Sequence, residues 1–136
     1  MANVIEGGSD ELRVIFKDLR RADDAPTCGS GGLHVRPDKD VAAVEPGDLI
    51  HPLGGGMSVT PDDPMLMPQS RKPRSLGGTS RKPVWSLKVP ILDEYDLACR
   101  RDRRDHALVE VARTMTLQEA QDQLCQTATN WELAYE

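Results

Sequence analysis

Hydrophobic and polar positions alternate cleanly in three places along the chain, and they take helical spacing in one. Leu12, Val14 and Phe16 fall on one side of an extended segment, with Arg13, Ile15 and Lys17 on the other, which predicts an early strand. Val84 to Val89 repeats the pattern, with Trp85, Leu87 and Val89 facing one way and Pro90 closing the run. Tyr95, Leu97 and Cys99 alternate again, and the charged stretch Arg100 to Asp105 leads into the apolar run His106 to Ala112, so these two runs predict a hairpin. Thr116-Leu-Gln-Glu119 has the form of a capping box. Leu117, Ala120, Leu124, Ala128 and Trp131 follow at helical spacing and predict an amphipathic helix over 116–133.

Turn formers divide these elements. Asp, Pro, Gly and Ser dominate Ala22 to Gly32, while Pro37 to Val44 has the length of a short helix ended by Pro46-Gly47. Gly54-Gly55-Gly56 precedes Met57-Ser58-Val59 and lets the backbone approach a ligand or another strand. From 60 to 83 the periodicity disappears, and a loop of this length is expected to be functional or disordered. Arg71, Lys72, Arg74, Arg81 and Lys82 lie in it with no acidic residue from Met65 to Pro90, a cationic surface able to receive phosphates.

Composition narrows the class. A chain of 136 residues has room for one domain, 1–136, and its 4% aromatic content with 10 Pro and 11 Gly points to short elements joined by long connections. A net charge of −5 argues against a general nucleic-acid binder, which leaves Arg71, Lys72 and Arg74 as the local route to nucleic acid. No apolar run is long enough to span a membrane, and Met1 to Asp10 lacks the basic and apolar regions of a secretory signal. The expected compartment is the cytoplasm, or the cytoplasm of a target cell after export by a dedicated machine. Cys28, Cys99 and Cys125 are odd in number and widely spaced, and read as free thiols, with Cys28 a weak nucleophile candidate. His34, His51 and His106 show no ligand spacing, so no metal site is expected; His51, before Pro52 and the glycines, reads as a surface or capping residue rather than as lining a cleft, and neither His51 nor His106 is taken as a catalyst.

The candidate chemistry centres on Glu110, a carboxylate between Val109 and Val111. Its bland alternatives are a solvated edge-strand position or an ion pair with a neighbouring arginine. Arg13 has a polar-face alternative, and Ser58 can be a turn residue.

Taken in order, Leu12 to Lys17, Gly55-Gly56-Met57-Ser58-Val59, and His106 to Ala112 followed by Met115 and an amphipathic helix resemble small bacterial type VI secretion effector toxins with an ADP-ribosyltransferase-like fold. The resemblance implies an α+β domain with a split, bent mixed sheet and a few short helices. It implies a cleft for NAD, used as substrate, with Arg13, Ser58 and Glu110 as the catalytic residues. It also implies Arg13, Gly55, Gly56 and Ser58 as NAD contacts, with Trp85 or Tyr95 stacking on nicotinamide, although both rings also suit a core. Partners would be a macromolecular acceptor and a cognate immunity protein or antitoxin. Leu108 stands where arginine-modifying members carry an acidic residue or glutamine, which argues against arginine as the acceptor. The chemistry suits a fixed carboxylate, because cleaving the nicotinamide–ribose bond builds positive charge on the ribose.

Two other readings compete. One is a non-enzymatic module whose basic Gly/Pro-rich loop binds an acidic protein or nucleic acid. The other is an RNA-directed relative of the same fold that removes a phosphate using NAD, for which salt-sensitive RNA affinity is expected.

Overall fold

Strand propensity and alternation resolve into one main sheet. The computed structural model describes residues 12–136, and the stretch read above for a secretory signal lies outside them. Six strands form the sheet: β1 (Val14–Asp18), β5 (Met57–Pro61), β6 (Val84–Lys88), β7 (Leu97–Arg103), β8 (His106–Val111) and β10 (Glu132–Tyr135). Their spatial order is β10-β6-β1-β5-β8-β7. Every pairing within this sheet is antiparallel, which corrects the expectation of a mixed sheet. Two-residue ribbons join β2 (Arg21–Ala22) to β3 (Ala25–Pro26) and β4 (Leu49–Ile50) to β9 (Met115–Thr116). The single α-helix among the described residues, α1 (Leu117–Gln126), makes the domain α+β.

Alternation decides the two faces of the sheet. Ile15, Met57, Val59, Trp85, Leu87, Ala107, Val109 and Val111 are buried on the face that carries the core. Leu117, Ala120 and Leu124 are the buried stripe of α1 and join the same cluster. The indole of Trp85 donates to the Leu19 carbonyl at 3.0 Å, so its polar atom is satisfied inside the core. On the opposite face stand Phe16, Ser58, Thr60, Leu108 and Glu110, partly covered by the 60–83 loop, whose Met67 is buried. That loop holds two 3-10 turns, Pro64–Leu66 and Arg74–Leu76.

β1 bonds β6 along five registered positions but β5 along only two, Ile15↔Pro61 and Phe16↔Thr60. Beyond Phe16 the neighbours part, and the sheet opens between β1 and β5. Lys17 spans this opening by donating from Nζ to the Ser58 carbonyl at 2.7 Å.

Several expectations change. Pro37 to Val44 forms turns, because the Asp40 carboxylate takes the Arg36 amide and guanidinium while Val41 bridges to Gly55. The capping box of α1 is present with both reciprocal bonds, but the helix stops at Gln126. A 3-10 turn, Thr127–Asn130, follows, and 132–135 becomes an edge strand instead of the last turn of a helix. The charged stretch from Arg100 belongs to β7 as far as Arg103, so Arg100 is a strand residue. Cys28 and Cys125 form a disulfide with Cα atoms 5.4 Å apart, correcting their reading as free thiols; Cys99 is free. The bridge ties the C-terminal turn of α1 to the loop after β3, a proximity that spacing along the chain does not reveal.

Candidate functional site

The opening between β1 and β5 is a cleft of about 340 Å3, within the size range of small-ligand sites. Lys17 and Asp18 come from β1, Ser58 from β5, Arg71 and Lys82 from the long loop, and Arg36 and Asp40 from the turn-rich segment before β4. Four cations therefore meet two carboxylates in a chain of net charge −5. Arg71 lies 3.7 Å from the buried Asp18 carboxylate, and Arg36 holds Asp40 at 2.9 Å. Of these four cleft cations, Lys17 and Lys82 are the two that have no carboxylate of the described residues within ion-pair distance. Ser30, Gly31, Gly32 and His34 close the far wall, on the loop that begins at the Cys28–Cys125 bridge.

Burial pulls the Lys17 ammonium down to about 8 from its usual range near 10.5, and the positive charge of Arg71 adds to the effect. A cation held in this state gains from any anion that enters, because the anion restores the solvation that burial removed.

A smaller recess of about 160 Å3 shares Lys17, Asp18, Ser58 and Arg71 with the main cleft. It extends over Phe16 and Thr60 to Arg103, Asp105 and His106 at the β7–β8 turn. His106 Nδ1 lies 2.6 Å from Asp102, so its Nε2 is the ring nitrogen left for the recess.

The proposed Arg13–Ser58–Glu110 trio is only partly assembled. Ser58 pairs with Leu108 across β5 and β8, so Ser58 and Glu110 emerge on the same face of adjacent strands, two residues out of register. Glu110 is buried, and Arg100 Nε donates to both of its oxygens at 3.2 and 2.9 Å. The ion pair weighed from sequence as the bland alternative is thus present. Arg13 is exposed and does not join them. It is three residues from Phe16 in one direction, while Ser58 is two from Thr60 in the other. Five strand positions, roughly 16 Å, therefore separate the two levels. The strand parity that puts Phe16 beside Thr60 also sends Arg13 to the opposite face from Ser58.

The other expected NAD contacts take structural positions. Trp85 is enclosed in the core and has no face open to a ligand. Tyr95 accepts a bond on its hydroxyl from Asn130 at 2.7 Å, at the end of the 3-10 segment Val89–Tyr95. Gly55 has φ +101°, and a Cβ there would meet the Asp40 carbonyl at 2.2 Å; a Cβ on Gly56 would meet the Val109 carbonyl at 2.1 Å. These glycines admit neighbouring backbone. His51 bonds Thr114 at 2.9 Å and is exposed, as a surface histidine should be. Burial pushes the Cys99 thiol up to about 12, which makes it a poor nucleophile. Among the described residues no cluster of His, Cys, Asp and Glu is arranged to hold a metal ion, and no helix is long and apolar enough to cross a membrane.

Sequence reasoning found the basic loop but not its partners. Lys17 and Ser58 are 41 residues apart, and nothing in either segment records that they meet. Comparison with protein-family models, curated proteins and solved structures finds no match.

Proposed function

We propose that the chain is an ADP-ribosyltransferase-like effector domain that binds NAD by its diphosphate in the split between β1 and β5. The observation that carries this reading is the concentration of Lys17, Arg36, Arg71 and Lys82 around one cleft of an acidic chain. Two further features support it. The strands expected to carry the arginine, serine and glutamate are consecutive neighbours, β1-β5-β8. The pairing of β1 with β5 also gives way where the cleft opens, as expected of a split sheet. In this reading the grip assigned to Arg13 passes to Lys17 and Arg71, whose charges face the cleft. Ser58, which lines the cleft, is left to meet the ribose, and Glu110, which lies outside the cleft lining on the same face of the next strand, would have to be reached past Ser58. NAD would contribute the reactive nicotinamide–ribose bond, while the protein positions it and stabilises the ribosyl cation. A toxin of this kind would be matched by an immunity protein or antitoxin, and its acceptor would be a macromolecule or water.

One observation favours a second reading. Glu110 is already neutralised by Arg100. A chain whose carboxylate serves only that pair would use the cationic cleft to hold an acidic protein or nucleic acid, without turnover.

Calorimetry with NAD on the oxidised chain separates the two. A charge-assisted hydrogen bond contributes about 1.5–3 kcal/mol, so Arg71→Gln should weaken NAD binding at least about tenfold. Lys17→Met should do the same and should remove a proton uptake that accompanies binding near pH 8, where Lys17 titrates. Affinity of the unmodified chain should fall as pH rises through that value, because only protonated Lys17 attracts phosphate. Absence of NAD binding, together with salt-sensitive binding of a single-stranded RNA or a polyanion, would replace the first reading with the second.

A further inference from the structure

The recess beside the cleft contains a histidine whose position resembles that of a general base. His106 begins β8 and its Nδ1 faces Asp102 Oδ1 at 2.6 Å across the β7–β8 turn. A carboxylate in this place fixes the ring, sets the tautomer with the proton on Nδ1, and stabilises the imidazolium once Nε2 takes a second proton. Neither side chain is enclosed, with 24% of His106 and 32% of Asp102 exposed, so protons can pass between Nε2 and solvent. A purely structural turn would need only the Asp102–His106 bond. The open recess in front of His106, continuous through Lys17, Asp18, Ser58 and Arg71 with the cationic cleft, is the additional feature.

We infer that His106, oriented by Asp102, is the base that deprotonates the acceptor, a hydroxyl group or water, as it attacks the ribose of a dinucleotide held in the cleft. The inference rests on the NAD reading above. In the step, the acceptor oxygen forms a bond to ribose C1′ and its proton goes to His106 Nε2. The C1′–N bond breaks, and its electron pair leaves with nicotinamide as the neutral base. The imidazolium then returns its proton to water. No further reactant is required.

The local charges suit an acceptor without a permanent charge. Arg103 and Asp105 on the hairpin, Lys17 and Asp18 from β1 and Arg71 from the long loop line the recess, and with Asp102 bonded to His106 beside it, three cations stand against three carboxylates. Phe16, Ser58 and Thr60 from β1 and β5, with Met67 and Pro68 of the long loop, line the rest of it.

The experiment uses the full oxidised chain, with NAD as the probe and two separate readouts: NAD affinity by calorimetry, and nicotinamide release across pH. General base catalysis contributes about 10²–10⁴-fold. His106→Ala is therefore expected to lose about a hundredfold or more in kcat, to keep NAD affinity within about twofold, and to regain turnover with added imidazole. The intact chain should show a fall in turnover on the acid side that the variant lacks. Asp102→Asn should lower turnover while keeping NAD affinity. His106→Ala with full turnover, or with an unaltered pH profile, overturns the assignment and leaves the NAD reading standing. No NAD binding or release by the intact chain overturns both. If His106→Ala unfolds, His106→Gln provides the folded comparison, and its full activity would equally overturn the assignment.

Discussion

Reducing the Cys28–Cys125 bridge is expected to lower the stability of the folded chain by about 2–5 kcal/mol, an effect comparable to losing a large core side chain. The bridge joins residues 97 apart, so it removes many conformations from the unfolded chain. It also has a local consequence: the loop from Cys28 to His34 supplies Ser30, Gly31, Gly32 and His34 to the cleft. That loop is held by the Leu33 amide to the Thr27 carbonyl at 2.8 Å and the Arg20 amide to the Gly31 carbonyl at 2.9 Å. Urea unfolding of oxidised and reduced protein measures the first effect, and NAD affinity in the two states measures the second. Thiol titration of the unfolded, unreduced chain should count one thiol, Cys99, and should count three after reduction. Three thiols without reductant, or identical urea midpoints, would remove the bridge from the account. Cys28 is exposed at the surface, so reductant can reach it. Disulfides persist in oxidising surroundings and are rare in the cytosol. In the effector reading, a chain that is reduced where it is made and oxidised after export would acquire its firm cleft only on leaving the producing cell.

The elements legible in the sequence are those set by local rules. Alternation in Leu12–Lys17 and Val84–Val89 and the apolar run His106–Ala112 mark strands, and the structure has strands at all three places. In the first of them the core takes Ile15, from the side shared with Arg13 and Lys17, and leaves Leu12, Val14 and Phe16 half-buried. Thr116 and Glu119 satisfy each other's backbone within four residues, so the start of α1 is written in its own segment. Its end is not. Ala128 and Trp131 keep helical spacing, yet Thr127 turns its hydroxyl to the Leu124 carbonyl at 2.6 Å and accepts from the Trp131 indole at 3.0 Å. The apolar pattern therefore continues through a 3-10 turn into β10. Arg100 to Arg103 looked like a connection because its residues are charged, but strand pairing with Ala107 and Leu108 tolerates charge where the side chains reach solvent or a partner.

The site was less legible for a geometric reason. Arg13 and Lys17 share one alternation phase, and both could serve a basic role from sequence alone. Only the pairing of Phe16 with Thr60 shows that the sheet opens beyond Phe16, next to Lys17 and away from Arg13. The disulfide and the Asp40–Arg36 wall of the cleft are likewise products of tertiary packing. Glu110 was found because a charge within an apolar run is conspicuous, while its partner Arg100 was hidden among four arginines in Arg100–Arg104.

If the chain uses NAD as proposed, Glu110→Gln is expected to reduce nicotinamide release by about a hundredfold or more while the protein stays folded and binds NAD. Glutamine has nearly the volume of glutamate and can still accept from Arg100 Nε through its carbonyl oxygen, so the buried position is not left empty. What it loses is the negative charge, and a fixed charge facing a developing ribosyl cation accounts for losses of about 10²–10³-fold when removed. Arg100 sharpens the comparison. Its side chain is 40% exposed while that of Glu110 is 3% exposed, so the pair is approached from the arginine side. A ribose hydroxyl reaching Glu110 must therefore displace or share that guanidinium. Arg100→Gln should then lower the melting temperature, because the buried carboxylate loses its counter-charge, while lowering NAD turnover far less than Glu110→Gln does. If the pair is only structural, the difference disappears: both variants melt lower, and the activity of each follows its folded fraction. Nicotinamide release corrected for the fraction folded, measured for the two variants side by side, decides whether Glu110 is held by Arg100 for stability alone or kept charged and in place for chemistry.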